Sequence, residues 1–281
     1  MFYSTKYLKM KTQTLRFSGF ITVLMLLFMV GCQKDVTPTT QTTPLSITAE
    51  KSVVIADQTF DALNGITDNY FSTNGLKATG LTCPALSANL NSFPIVISLD
   101  WGTGCAGTGD GITRKGKISV SLSGLMKETG SVATFSFSDF VSDGNKISGV
   151  HRITYKGPNP GNSWPRYAVF TEAKIIFPDG KFMTYRAEYV RLQSEGSATL
   201  TQDDDVWRIE GAASGLTREG AAWTAKFPSA VVKKMSCQWF SSGSVEVTLT
   251  GEAARTINFG DGTCDNKATL TVGGVTTNIT L

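Results

Sequence analysis

The sequence is poor in the groups that most catalytic chemistry draws on. It has one histidine, His151, in 281 residues. Nucleophilic catalysis by serine or cysteine usually needs a base, most often histidine. His151 sits in an alternating run from Ile147 to Tyr155, where a histidine is expected to be exposed or satisfied by hydrogen bonds rather than catalytic. The patterns GxSxG, HExxH and SxxK do not occur, which removes the commonest hydrolase signatures. Carboxylates are plentiful, but no spacing selects two of them as a glycosidase pair. There is no CxxC pair, so a zinc site of four thiolates is not expected. No catalytic residue, metal or cofactor is assigned, and a non-enzymatic role is favoured.

Acidic residues are absent before Asp35, and long apolar runs are absent everywhere but in the same segment. Lys6, Lys9, Lys11 and Arg16 precede one apolar stretch, Phe20 to Val30, interrupted only by Thr22. That stretch is too short for a permanent membrane span, which needs about 20 apolar residues. A basic head, a short apolar core and a small residue before a cut define a secretory signal. Met29-Val30-Gly31-Cys32 resembles a lipobox, with Met29 in place of the usual Leu. Residues 1–31 are therefore read as a lipoprotein signal peptide, with a diacylglyceryl group expected on Cys32. Acyl chains on one cysteine suffice for stable anchoring once there are two of them. Position 33 is Gln, not Asp, so the familiar inner-membrane retention signal is missing and an outer-membrane location is expected, periplasmic or surface-exposed. Val36 to Leu45, rich in Thr and Pro, reads as a tether within residues 32–45. In a polyproline-like state at about 3.1 Å per residue it would reach roughly 30 Å.

Removing the signal also removes the apparent basicity. Four of the 26 Lys and Arg and none of the 23 Asp and Glu lie before Cys32, leaving 22 basic against 23 acidic residues. Nucleic-acid binding and a polybasic membrane patch are not supported.

The remaining residues, 46–281, are expected to form a β-rich domain. Val53, Ala56, Phe60, Leu63, Thr67 and Tyr70 recur at spacings of three and four and predict one helix over about 47–73, with its apolar face on a sheet. Asn74-Gly75 is a plausible stop. Beyond residue 80 the period becomes two. Ile118, Val120 and Leu122 alternate with polar residues, as do Ile147, Ile153 and Tyr155, then Tyr167, Val169 and Ile175. The same holds for Val245, Val247 and Leu249, for Ile257 and Phe259, and for Leu270 and Val272. Turn pairs bound these runs: Asp143-Gly144, Asp179-Gly180, Glu219-Gly220, Ser242-Gly243, Asp261-Gly262 and Gly273-Gly274. Such pairs favour tight hairpins. With no helical stretch between the runs, the expected fold is mainly β, an antiparallel meander or sandwich.

Four cysteines remain beyond Cys32. Val96 to Cys105 and Thr256 to Cys264 are both strands running into a Gly-rich turn that ends in Cys, and each has another Cys upstream, Cys83 and Cys237. The parallel suggests local disulfides, Cys83–Cys105 and Cys237–Cys264, among three possible connectivities. An oxidising compartment suits them.

The stretch Asp100 to Gly124, and toward the C-terminus Lys234, Cys237, Trp239 and Gly243 followed by Asn258 to Val272, also resemble a recurrent pattern in uncharacterised Bacteroidota lipoproteins, in order and spacing over most of the mature chain. That resemblance implies a β-rich exported lipoprotein and no particular activity. Phe259-Gly260-Asp261-Gly262-Thr263 is similar to the turn of PKD-type immunoglobulin-like modules over five residues.

Two acidic clusters, Asp203-Asp204-Asp205 and Asp261 with Asp265 and Asn266, have oxygen ligands that calcium favours, but EF-hand spacing is missing. Solvated turns are the expected reading of both. Five tryptophans are scattered through the β segments. Trp207, Trp223 and Trp239 are expected in the core. Trp164, in the loop Gly157 to Pro165, is expected to be the most exposed and is the one place where a ligand such as a glycan ring is sought. The leading expectation is a membrane-anchored, non-enzymatic envelope lipoprotein, structural or binding, with a glycan or an envelope protein as possible partner. Its rival is a surface glycan-binding or glycan-active protein.

Overall fold

A computed structural model describes residues 83–106, 112–199, 201 and 203–281, together with Ala56, Thr59, Phe60 and Asn64. Contacts divide the chain into residues 1–41 and 42–281. The signal, Cys32, the tether and most of the expected helix lie outside the described residues.

Thirteen strands follow in chain order: β1 (Ala85–Asn89), β2 (Ile95–Asp100), β3 (Arg114–Leu122), β4 (Val132–Ser142), β5 (Asn145–Pro158), β6 (Pro165–Ile176) and β7 (Phe182–Glu195). They continue with β8 (Val206–Leu216), β9 (Ala222–Lys234), β10 (Phe240–Leu249), β11 (Arg255–Asp261), β12 (Lys267–Val272) and β13 (Val275–Thr280). Each pairs with its chain neighbour, so the spatial order is the sequence order in one sheet. Every pairing is antiparallel. Of the two expected architectures, the meander is the one adopted.

The turn chemistry explains the connectivity. Asp143 and Gly144 both have positive φ, 48° and 77°, between the paired residues Ser142 and Asn145. Gly273 and Gly274, at 56° and 82°, do the same between Val272 and Val275. Two left-handed residues make the type I′ turn, whose twist matches the strands it joins. Ser242-Gly243 departs from expectation. It lies inside β10 at a register shift, with Gly243 at φ 94°. A glycine in a strand serves a bulge as readily as a turn.

One face of the sheet holds the core. A row of partners crosses it from Ile97 through Val120, Phe135, His151, Thr171, Ala187, Ala213 and Ala225 to Val247, all of them buried. The middle of the row is small: Thr171 and three alanines. Large residues flank that trough, and rings meet across an intervening strand. Tyr185 of β7 reaches Trp223 of β9 at 6.1 Å, and Tyr189 of β7 stacks on Phe227 of β9 at 5.1 Å. Glycines lie between, since Gly215 and Gly211 of β8 are the partners of Tyr185 and Tyr189.

Ala56, Thr59, Phe60 and Asn64 are helical, and Ala56, Phe60 and Asn64 are buried. Spacings of four put these three on one helical face. Phe60 lies nearly parallel to Tyr185 at 5.3 Å and stacks on His151 at 5.5 Å. The expected contact of this segment's apolar face with the sheet is thus present where the segment is described.

Candidate functional site

A buried polar cluster lies around His151. His151 stands on the buried face of β5 and is fully buried. Its Nδ1 is 2.8 Å from Thr171 Oγ1 on β6, and its Nε2 is 2.7 Å from Asn64 Oδ1 on the helix. A carbonyl oxygen only accepts, so Nε2–H donates to Asn64, and Nδ1 accepts from the Thr171 hydroxyl. Both ring nitrogens are therefore occupied. Burial first, then the nearby Arg191 guanidinium, holds the imidazole pKa down to about 3. The ring is neutral at physiological pH, and Phe135 meets it edge-on at 4.9 Å.

A cavity of about 20 Å³ adjoins this cluster, lined by Phe60, Asn64, His151, Thr171, Tyr189 and Arg191 among others. One probe sphere of that measure is about one water molecule. The arrangement joins the helix to the sheet through a buried polar contact within an apolar surround. It offers a hydrogen-bond lock. The Thr171 hydroxyl beside the imidazole is itself buried, and the adjoining cavity has no space for a substrate. Thr171→Val keeps the volume and removes the donor to Nδ1. It is expected to destabilise the domain by about 1–2 kcal/mol in urea unfolding. An unchanged midpoint would show that this bond contributes nothing.

Of the two readings that the sequence allows for His151, exposed or satisfied, the structure has the second, with partners that the sequence does not identify. Asn64 stands beside the predicted apolar stripe, not on it. A polar residue four after Phe60 was the available signal.

The other singled-out residues lie elsewhere. Trp164 is half-buried, not the exposed residue expected. Its loop is tied internally: the Trp164 amide donates to Asn162 Oδ1 at 3.1 Å, and the Asn159 amide donates to the Trp164 carbonyl at 2.8 Å. Trp207 and Trp223 are buried, as is Trp101, whereas Trp239 is only half-buried. Trp239 precedes β10, in the turn that carries Cys237, and this leaves some of its surface to solvent.

Asp205 departs from the solvated-turn reading. It is buried beside the start of β8 and accepts from Gln193 Nε2 at 2.8 Å. Burial raises its pKa. Asp204 accepts from Thr199 Oγ1, so these carboxylates serve local turns. Asp261 likewise accepts from the amide and hydroxyl of Thr263, which lowers its pKa. Asp265 accepts from the Lys267 amide. Among the described residues no group of three or more His, Cys, Asp or Glu is arranged to hold a metal.

The cysteines come together in the local pairs. The Cα atoms of Cys83 and Cys105 are 6.2 Å apart, and those of Cys237 and Cys264 are 5.6 Å apart, both within disulfide range. Lys233 Nζ donates to the Cys237 and Gln238 carbonyls, and Lys234 Nζ to that of Gly262. Two lysines thus satisfy carbonyls in the loops on either side of the second bridge.

The opposite face of the sheet carries an open depression of about 460 Å³ over Ala212, Ser214 and Thr224. Its rim charges are paired: Arg186 with Glu188 at 2.8 Å and Lys226 with Glu246 at 2.9 Å. Such exposed pairs contribute little energy and leave no net charge to attract a ligand.

No family model, curated protein or solved structure matches the chain.

Proposed function

We propose that the protein is a lipid-anchored lipoprotein of the bacterial cell envelope, held on the outer membrane through Cys32, with a structural or binding role. The observation that carries this reading is the order of residue types at the start of the chain. Four basic residues and no acid precede the apolar run Phe20 to Val30, and Gly31-Cys32 follows. A short apolar core ending in a small residue is a processing signal. Two supports come from the domain itself. Cysteine pairs at disulfide distance suit an oxidising compartment. The single histidine has both nitrogens engaged in the core, so its place is one of packing. The glycan reading finds no support at Trp164, whose loop hydrogen-bonds to itself.

The test is lipid attachment in a bacterial host. Cells fed an alkyne-bearing fatty acid should label the wild-type chain and not Cys32→Ser. The labelled chain should sediment with membranes and partition into detergent. A wild-type chain that takes no label, or a Cys32→Ser chain labelled equally, removes the proposal.

A further inference from the structure

Among the described residues the sheet is open, and β13 forms one of its edges. β13 pairs with β12 over six residues without a register shift, and among the described residues no other strand pairs with it. Its sequence, Val-Thr-Thr-Asn-Ile-Thr, has no charge and no proline. Edge strands are normally blunted by lysine, proline, a bulge or a cover, because the free row of N–H and C=O groups templates pairing. β13 has none of the first three.

The inner face makes the edge more telling. Val275, Thr277 and Ile279 are the partners of Val272, Leu270 and Ala268. Leu270 and Ala268 are buried, whereas Val275 is 68% exposed. The apolar face of the sheet therefore runs out to β13, where Ile279 still packs against the core and Val275 is left uncovered. The type I′ turn at Gly273-Gly274 closes on Val272 and Val275. It directs the backbone groups of Val275, Thr277 and Ile279 at β12, and those of Thr276, Asn278 and Thr280 outward.

We infer that β13 is a self-association edge, which pairs antiparallel with β13 of a second copy about a two-fold axis at Thr277. This register is self-complementary. Thr277 faces its own copy, and Val275 faces Ile279 of the second copy, twice by symmetry. Thr276 and Asn278, whose backbones point outward, form the hydrogen-bonded pairs. Cross-strand pairs of β-branched residues are favourable, and a two-fold interface closes at two copies. The partner is thus a second copy, and the apolar row continues from one sheet into the next.

The experiment uses the full chain in detergent, by light scattering over roughly 1 µM to 1 mM, the range in which small interfaces dissociate. A concentration-dependent dimer is expected. Thr277→Lys puts two like charges in direct opposition and should raise the dissociation constant by at least about tenfold. It lies on an exposed strand, so its circular dichroism and melting should match wild type. Thr277→Cys should form a dimer on a non-reducing gel, because non-hydrogen-bonded antiparallel partners lie about 4.5 Å apart at Cα. Thr276→Cys, which faces Asn278 of the second copy, should not. A wild-type chain that stays monomeric, a Thr277→Lys chain that dimerises as well as wild type, or growth beyond the dimer by head-to-tail pairing of β13 with β1 would each overturn the inference. So would cross-linking through Asn278→Cys in place of Thr277→Cys.

Discussion

Gly215→Val is expected to destabilise the domain by on the order of 4 kcal/mol, more than most single substitutions do. β8 runs between β7 and β9, and Gly215 is the partner of Tyr185 on one side and Trp223 on the other. Both rings are almost completely buried, and they approach each other over the glycine at 6.1 Å. A Cβ there would fall inside contact distance of the Thr184 carbonyl oxygen and 3.1 Å from Trp223 Nε1. The first obstacle is backbone and the second a packed indole, so neither yields by a rotamer change. Overpacking a well-packed core costs about 1–3 kcal/mol by itself, and here it would also force β7 away from β8. Gly220→Ala is the contrast. Gly220 has φ 82° with nothing within 4 Å of its Cβ position, so only the left-handed conformation opposes a side chain, at about 1–2 kcal/mol. Guanidinium unfolding followed by tryptophan fluorescence compares the two. A Gly215→Val midpoint close to wild type would mean that β7 and β9 separate freely and that the ring contact is not a constraint on the sheet.

That glycine also marks the boundary of what the sequence discloses. The period of two along Ile118, Val120 and Leu122, or Val245, Val247 and Leu249, is a local consequence of side chains alternating across a strand. It makes the β class and the buried face readable without a structure. Asp143-Gly144 and Gly273-Gly274 are readable for a similar reason, since two residues must both accept positive φ. The local cysteine pairs follow from two strand–turn–Cys segments of the same build. Register is different. Ala187, Ala213 and Ala225 each look like an ordinary alanine, and only pairing brings them beside Thr171 into a trough. Gly215 looks like a breaker until Tyr185 and Trp223 are placed on either side of it. Ser242-Gly243 has a turn composition and occupies a bulge, because composition reports the permitted φ and not which element uses it.

The polar interior was the least legible region. His151 and Asn64 are 87 positions apart, and an apolar-periodicity reading favours Leu63 over Asn64 by construction. Asp205 sits among three consecutive aspartates that read as solvated, yet only the third turns inward, to Gln193. In both cases a hydrogen bond between distant residues decides the burial of a polar side chain. An unpaired polar group in the core would be expensive, so the partner is what makes the position tenable.

His151 makes the domain's stability depend on pH in a definite direction. Acidification from pH 7 to pH 4 is expected to remove on the order of 3 kcal/mol through this residue, given an ordinary value near 6.5 and a buried value of about 3. Between those two values the unfolded chain binds the proton and the native chain does not. Stability then falls as pH falls, by about 1.4 kcal/mol per unit, and it is flat above 6.5. Loss of hydrogen bonds is not the cause. Thr171 Oγ1 and Asn64 Oδ1 can both accept from an imidazolium, so the penalty comes from burying the charge and, second, from Arg191. Asp205 works in the opposite sense. Its raised pKa means that the native carboxyl takes up its proton before the unfolded one, which offsets some of the loss toward pH 4. Asp139, Asp179 and Asp261 are held low and lose their stabilising charge only in more acid solution. Between pH 6.5 and 5 His151 by itself contributes a decline of about 2 kcal/mol, which Asp205 opposes. Urea unfolding at pH 7, 6 and 5 reads it directly. His151→Gln, neutral throughout, should be less stable at pH 7 and should lose the decline that wild type shows toward pH 5. Equal stability of the wild-type domain at pH 7 and pH 5 would mean that the ring is charged or solvated in the native sheet, and the lock between the helix and β5 would have to be abandoned.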